Sequence, residues 1–200
     1  MITVDARGLF CPAPVVEARK AIARLPKDGG QVHVFVDNQL AAENLSRMAA
    51  GSGFQYVLQE QDGGVYSLTI TVGEGHAPSP AGPPLPLDGA GLVVSIGRDT
   101  MGGGSDELGG ILIKGFLYAL AQLPQAPQAL LFYNGGIKLA LADSNSLSDI
   151  RELAEKGTRV LVCGTCVNYY EAADRLGVGE IANMFDIVRE MTDAERLVQL

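Results

Sequence analysis

Cysteine and histidine are scarce in this chain of 200 residues, which has three Cys and two His. A secreted disulfide framework normally has more cysteines, so we do not expect one here. A structural zinc site takes four ligands, and beyond Cys163 and Cys166 only Cys11, His33 and His76 could contribute. The sequence therefore predicts no metal and no cofactor, and it leaves catalytic or packing roles for the cysteines.

Basic residues and long apolar runs are also few. The chain has 15 Lys and Arg against 23 Asp and Glu, a formal net charge of −8. This balance argues against a nucleic-acid or anionic-membrane surface, which needs clustered basic side chains. No apolar stretch is long enough to cross a bilayer, and residues 1–7 do not start a signal peptide. We expect a folded cytoplasmic protein.

A proline-rich stretch predicts two domains. Residues 73–90 show no periodicity, and residues 75–86 within them hold five prolines. Such a composition is typical of an extended linker. We therefore predict a first domain over residues 1–72 and a second over residues 91–200.

The first domain has the pattern of a small two-layer α/β sandwich, β-α-β-α-β-β. Val32, Val34 and Val36 recur at every second position and so share one face, as expected of a strand with one buried side. Asp37 or Asn38 is placed to cap the second helix. The predicted strands are residues 2–6, 31–36, 54–60 and 65–72, and the predicted helices are residues 12–25 and 39–50.

The second domain alternates strands and helices, which predicts a doubly wound α/β fold with a parallel sheet. The apolar run at residues 92–96 is typical of a buried parallel strand. Sites in such sheets collect at the carboxyl ends of the strands, where Cys163 falls. The predicted strands are residues 92–96, 129–133 and 159–162, and the predicted helices are residues 106–123 and 148–155.

Cys11 is the residue that most clearly indicates chemistry. It precedes a helix predicted to begin at Pro12, a position where the missing N–H of proline has no cost. As the N-cap, its sulfur would face the N–H groups of Ala13 and Val15, since Pro14 has none. That environment lowers a thiol pKa and favours the nucleophilic thiolate. Alternatively, Cys11 is only a small apolar residue at a helix start.

The residues around Cys11 carry a family resemblance. Residues 5–14 read D-x-R-G-L-x-C-P-x-P, with seven defined positions in ten. This motif resembles the signature of the TusA/SirA-like sulfur carriers. The resemblance implies that Cys11 takes a sulfane sulfur as a persulfide from a donor, such as a cysteine desulfurase, and passes it to an acceptor protein. The supporting positions are Asp5, Arg7, Gly8, Pro12 and Pro14, and Arg7 would add to the effect if its loop folds back.

Cys163 and Cys166 form a second motif, C-G-T-C, at the end of a predicted strand. A CxxC pair at such a junction can cycle between dithiol and disulfide. The following helix could begin at Cys166 or at Asn168, so the more reactive sulfur is not determined. A buried structural pair is the alternative.

Two stretches of the second domain resemble DsrE-like sulfur-relay domains: residues 131–140 (LFYNGGIKLA) and 162–170 (VCGTCVNYY). Asn134, in the first stretch, belongs to a turn expected near the same sheet edge. Tyr169 and Tyr170, in the second, either line the CxxC site or pack. A TusA-like domain joined to a DsrE-like domain is similar to the YedF family, which implies selenium metabolism. DsrE-like domains usually associate, which implies a homo-oligomer through the second domain.

A glycine-rich stretch at residues 97–110 admits a phosphate-loop interpretation. It lacks the Gly-Lys-Ser/Thr ending of a P-loop. Asp106 and Glu107 would also occupy the helix start that a phosphate needs. A strand-to-helix turn with Ser105 as the helix cap is the better interpretation.

The sequence thus predicts a sulfurtransferase-like carrier and relay, with Cys11, Cys163 and Cys166 as catalytic residues. The cargo is sulfur, or selenium by the YedF resemblance. One alternative is a non-enzymatic redox-sensing or regulatory interaction module. A second alternative is a thioredoxin-like reductase that acts through the CxxC alone and gives Cys11 no role.

Overall fold

The computed structural model describes residues 1–10, 12–74 and 91–200. The chain separates into two units, Met1–Pro86 and Leu87–Leu200. Cys11, His76 and nearly all of the predicted linker at 73–90 lie outside the described residues.

The first unit is a four-stranded sheet with two helices, in the predicted order β-α-β-α-β-β. The strand order is β1-β2-β4-β3, with β1 parallel to β2 and the other neighbours antiparallel. This arrangement confirms the predicted small α/β sandwich. The elements are β1 (Ile2–Asp5), α1 (Ala13–Ala23), β2 (Gly30–Val36), α2 (Gln39–Gly51), β3 (Gln55–Gln61) and β4 (Val65–Val72).

The alternating valines of β2 form the centre of this core. Val32 and Val34 are fully buried, and Val34 lies opposite Leu68 of β4. Ala18 of α1 and Leu45 of α2 belong to the same apolar cluster. Burial of each such large side chain stabilises the fold by about 1.5 to 3 kcal/mol relative to exposure. His33 lies beside Phe35 on the opposite side of the strand, as expected of an incidental strand residue.

The ends of α1 differ from prediction. The helix begins at Ala13 with Pro12 as its N-cap, so the predicted start at Pro12 is wrong by one residue. It ends at Ala23, because Arg24 and Leu25 donate their N–H groups three residues back, which tightens the last turn. Proline follows at position 26, and the residue before a proline is disfavoured in helical conformation.

The second unit is a five-stranded sheet in the order β8-β7-β6-β5-β9, and every neighbouring pair is parallel. This confirms the predicted doubly wound sheet. The elements are β5 (Leu92–Ile96), α3 (Asp106–Ala121), β6 (Ala129–Phe132), α4 (Leu147–Glu155), β7 (Arg159–Cys163), α5 (Gly164–Tyr169), β8 (Glu180–Ala182), α6 (Met184–Asp193) and β9 (Arg196–Gln199). Two 3₁₀ helices lie at Asn134–Ala140 and Ala173–Arg175.

The two faces of this sheet bury separate apolar clusters. Ile96 and Phe132 pack with residues of α3 and α4. Leu131 and Leu161 face the other way and pack with Ile187 of α6. Because successive strand residues alternate between faces and both faces are covered, β5 to β7 are apolar except for Ser95 and Arg159.

The glycine-rich stretch leads from β5 into α3. Ser105 caps α3, with its Oγ accepting from the Leu108 N–H at 3.3 Å, as predicted. Asp106 and Glu107 lie in the first turn of that helix, where carboxylates are favourable toward the helix dipole. In the described parts of the chain, no helix is both long and apolar enough to span a membrane.

Candidate functional site

Two carboxylates hold the loop that precedes Cys11. Arg7 donates to Asp5 from Nε at 2.8 Å and from its terminal nitrogen at 2.5 Å. The Gly8 N–H donates to the Asp37 carboxylate at 2.7 Å. Gly8 has φ +73°, a left-handed conformation that glycine adopts without steric cost. The loop is therefore tied at one end to its own strand and at the other to the residue before the cap of α2.

Asn38, rather than Asp37, caps α2. Its Oδ1 accepts from the Ala41 N–H at 2.8 Å, which leaves the Asp37 carboxylate available to Gly8. Sequence reasoning considered Asp37 only as a helix cap and missed this contact. The local sequence holds no signal for it, because Gly8 and Asp37 are 29 residues apart.

The hydrogen bonds from Arg7 lower the pKa of Asp5 to about 2. Because the folded-state pKa lies below the ordinary value of 3.8, this pair stabilises the fold above that value and loses its effect as pH falls toward 2. Both side chains are exposed, so solvent screening keeps the contribution small.

We expect Asp5→Asn to lower the stability of the full chain at about pH 6, and this deficit to shrink as pH falls from about 4 to 2. Urea unfolding across that range measures it. Glu17→Gln, which removes a carboxylate from another exposed ion pair, is the matched control. If Asp5→Asn lowers the free energy of unfolding equally at about pH 6 and about pH 2, the Asp5–Arg7 ion pair does not have the stabilising role described.

The backbone after Cys11 differs from the predicted arrangement. The Ala13 N–H donates to the Phe10 carbonyl at 2.9 Å, and the Val15 N–H donates to the Pro12 carbonyl at 3.1 Å. These bonds contradict the expectation that both groups face the sulfur, because tight turns at the helix start already satisfy them. Pro14 is buried in the first turn. Pro12 is the N-cap of α1, so the prediction that Cys11 caps this helix is wrong. Cys11 itself lies outside the described residues, and its reactivity remains a prediction.

Cys163 and Cys166 lie together where β7 passes directly into α5. Cys163 is the last residue of β7 and the N-cap of α5, so the predicted helix starts at Cys166 or Asn168 are wrong. The turn is abrupt because Gly164 follows, and a Cβ there would come within 3.0 Å of Ile181 Cγ2. Both thiols are free, and they lie three residues apart across the start of α5.

The two thiols differ in accessibility. Cys163 is 1% exposed and packs among apolar side chains between the sheet and α6. Cys166 is only partly buried. A reagent or partner arriving from solvent therefore meets Cys166 first.

Asn134 supplies a hydrogen bond to Cys166. Its backbone N–H donates to the Cys166 Sγ at 3.0 Å, and its φ of +47° is left-handed, which is uncommon outside glycine. Its side-chain oxygen accepts from the Tyr170 hydroxyl at 3.3 Å. Tyr170 therefore helps hold the turn that presents the N–H, which places it at the CxxC site. Tyr169 is 80% exposed and meets the Tyr170 ring edge-on.

Gly136 allows this turn to sit against the sheet. A Cβ at that position would collide with the carbonyl group of Ile96 on the neighbouring strand. The stretch from Asn134 to Gly136 thus has a steric reason for its glycine, and the predicted turn near this sheet edge carries the N–H that binds the thiol.

Burial raises the pKa of the Cys166 thiol, and the neighbouring Cys163 thiol raises it further. The Asn134 N–H acts in the opposite direction, because it favours the anion. The net pKa lies above the ordinary value of 9.0. At neutral pH, Cys166 is therefore mainly a thiol, and its reactivity should rise with pH.

An ion pair borders this site. Lys138 donates to Asp99 at 3.0 Å, and its ammonium lies 5.8 Å from the centre of the Tyr170 ring. The carboxylate of Asp99 raises the pKa of Lys138, which therefore stays charged. These three side chains are part of the lining of an open depression of about 630 Å³. Sequence reasoning named neither Asp99 nor Lys138, because they are 39 residues apart and meet only in the folded sheet.

No metal centre is evident in the parts of the chain that the structure covers. Within residues 1–10, 12–74 and 91–200, no three Cys, His, Asp or Glu side chains are grouped so that they could hold an ion. The arrangement around Cys166 is instead suited to thiol chemistry: one accessible sulfur, one hydrogen-bond donor to it, and one buried sulfur behind it.

Comparison with known proteins identifies the first unit. A "Putative sulfur carrier protein" of Methanocaldococcus jannaschii is 33% identical over 70 residues, which cover 35% of this chain and 92% of that protein. A solved SirA-like protein of Desulfitobacterium hafniense is 50% identical, with a TM-score of 0.36, and covers 37% of this chain and 100% of that chain. A solved protein of unknown function from Methanobacterium thermoautotrophicum is 23% identical, with a TM-score of 0.42, and covers 55% of this chain and 97% of that chain. Residues 2–72 match the family model described as Sulfurtransferase TusA, and through these residues the chain belongs to the TusA sulfurtransferase family.

Proposed function

We propose that this chain is a sulfur carrier that holds sulfur as a persulfide on Cys11 and passes it to Cys166. Membership of the TusA family over residues 2–72 supports the carrier role. The matched M. jannaschii protein is named a sulfur carrier protein. The observation that carries the second half of the proposal is the Asn134 N–H directed at the Cys166 sulfur at 3.0 Å.

Loading begins with a donor persulfide, which a cysteine desulfurase can supply. The Cys11 thiolate attacks the terminal sulfur of the donor, and the donor cysteine leaves as a thiolate. No net oxidant is needed, because the sulfane sulfur moves unchanged from one cysteine to another. Selenium can follow the same steps, and the YedF resemblance makes it the alternative cargo.

Transfer to the second unit repeats this displacement. The Cys166 thiolate attacks the terminal sulfur of the Cys11 persulfide, and Cys11 departs as a thiolate. Cys166 is better placed than Cys163, which is only 1% exposed. The Asn134 N–H favours the anionic form of the attacking sulfur.

The proposed architecture follows the sequence analysis. Residues 1–72 form the TusA-like carrier domain, residues 73–90 the linker, and residues 91–200 a DsrE-like domain. We propose that residues 91–200 also mediate self-association. On α6, the apolar side chains of Phe185 and Val188 are 75% and 47% exposed, which supports a contact with a second copy.

The relay is tested by following the adduct of about 32 Da that one persulfide sulfur adds to a peptide. The protein is the full chain with Cys163→Ala, in which Cys11 and Cys166 are unchanged. We expect a desulfurase and cysteine to load Cys11, and the adduct to move from the Cys11 peptide to the Cys166 peptide. Transfer should accelerate between about pH 7 and 9, because the small thiolate fraction of Cys166 rises with pH.

The matched control carries Cys163→Ala together with Cys166→Ala and should keep the adduct on Cys11. An adduct that stays on Cys11 in both variants would refute the relay. Such a result, with partner binding intact, would instead support a regulatory interaction module.

A further inference from the structure

We propose that Cys163 is an internal resolving thiol that converts the Cys166 persulfide into a disulfide and releases the cargo as hydrosulfide. The inference rests on the proposed function, in which Cys166 accepts sulfur. It adds an activity that the carrier role does not contain: reductive release of the sulfur from the protein.

The position of Cys163 fits this role and few others. Its side chain is 1% exposed and is surrounded by Leu131, Leu161 and Ile187. Solvent and macromolecular partners therefore have no direct route to its sulfur. The neighbouring thiol is Cys166, which lies three residues further on in the first turn of α5.

The difference in burial between the two thiols sets the order of events. Incoming sulfur reaches Cys166 rather than Cys163, because Cys166 is only partly buried and Cys163 is buried. Cys163 then attacks the Cys166 Sγ with the terminal sulfur as leaving group, which is the displacement of thiol–disulfide exchange.

The reaction balances without an added oxidant. Cys163–SH and the anion Cys166–S–S⁻ give the Cys163–Cys166 disulfide and HS⁻. The new bond joins the two Sγ atoms, the bond to the terminal sulfur breaks, and the proton of Cys163 leaves with that sulfur. The sulfane sulfur gains two electrons and the two cysteine sulfurs lose one each.

A dithiol reductant must restore both thiols before another cycle. The spacing favours closure of the disulfide, because Cys163 and Cys166 are one helical turn apart. With selenium as cargo, the same step releases hydroselenide.

The experiment uses the full chain with Cys11→Ser, so that sulfur can load only on the second unit. The protein is treated with inorganic polysulfide under argon, desalted, and analysed by intact mass and by sulfide assay. We expect no persistent adduct, a chain about 2 Da lighter than the dithiol form, and sulfide released until the pair is oxidised. Addition of dithiothreitol should restore the original mass.

The matched variant adds Cys163→Ala to Cys11→Ser. It should accumulate the adduct of about 32 Da on Cys166 and form no intramolecular disulfide. Cys163→Ser serves as a second variant if alanine impairs folding, which circular dichroism checks. A persistent adduct in the chain that retains Cys163, equal to that in the Cys163 variant, would overturn the inference. Failure of the Cys163 variant to load at all would instead remove Cys166 as an acceptor, and with it the proposed function.

Discussion

Replacing Cys11 with serine is expected to abolish persulfide loading from a desulfurase onto residues 1–72. A serine hydroxyl is not ionised at neutral pH and does not accept sulfane sulfur, whereas a cysteine thiolate does. The loss should be at least about tenfold, with the remaining signal at the level of unreacted protein. Peptide mass mapping after incubation with desulfurase and cysteine measures it.

The matched control for this variant is Cys163→Ala, which removes a buried cysteine of the other unit. It should load the Cys11 peptide at the rate of the unmodified chain. If the Cys11→Ser variant still gains sulfur within residues 1–72 at the rate of the unmodified chain, the TusA-like motif does not carry the sulfur.

Gly136→Ala is expected to destabilise the chain by roughly 2–4 kcal/mol, because overlap with a backbone group cannot be relieved by a side-chain rotation. The added Cβ would meet the Ile96 carbonyl. The turn that begins at Asn134 would have to move outward, and its N–H would leave Cys166. We therefore also expect a changed rate of Cys166 alkylation. Urea unfolding of the full chain and alkylation with iodoacetamide measure the two effects.

Gly104→Ala is the control for this substitution. A Cβ there has no atom within 4 Å, and the residue does not have a left-handed backbone. It should change the unfolding midpoint little. Equal midpoints for the two variants would show that the contact between the Asn134 turn and β5 is not needed for stability.

The sequence predicted those elements whose pattern is local. Leu92–Ile96 was predicted with its observed bounds because a short, mainly apolar run is typical of a buried parallel strand. Asp37 or Asn38 was proposed as one cap and Ser105 as another, because short polar side chains before a helix bind its free N–H groups. Asn38 and Ser105 are the observed caps. Helix ends were less accurate, since they depend on the tight turns that follow.

The elements after residue 170 were not predicted. Strand β8 has three residues and β9 has four, and both lie at sheet edges. Strands this short show no clear alternation, and what makes them strands is their pairing with β7 and β5. Sequence patterns alone carry little of that information.

The candidate site was predictable in part. The CxxC was expected at the carboxyl end of a strand, and that placement was correct. The hydrogen bond from Asn134 to Cys166 joins residues 32 apart and depends on β6 lying next to β7. A left-handed backbone at a residue other than glycine is likewise decided by tertiary packing. Neither feature has a signal in the local sequence.

The burial of Cys163 has a practical consequence for chemical labelling. A bulky alkylating reagent will modify the partly buried Cys166 and will not reach Cys163, which is 1% exposed. A thiol count on the native protein will consequently find one reactive group in residues 91–200 where the sequence has two. Reduced protein would then be scored as half oxidised, so the redox history of a sample can be judged only after denaturation.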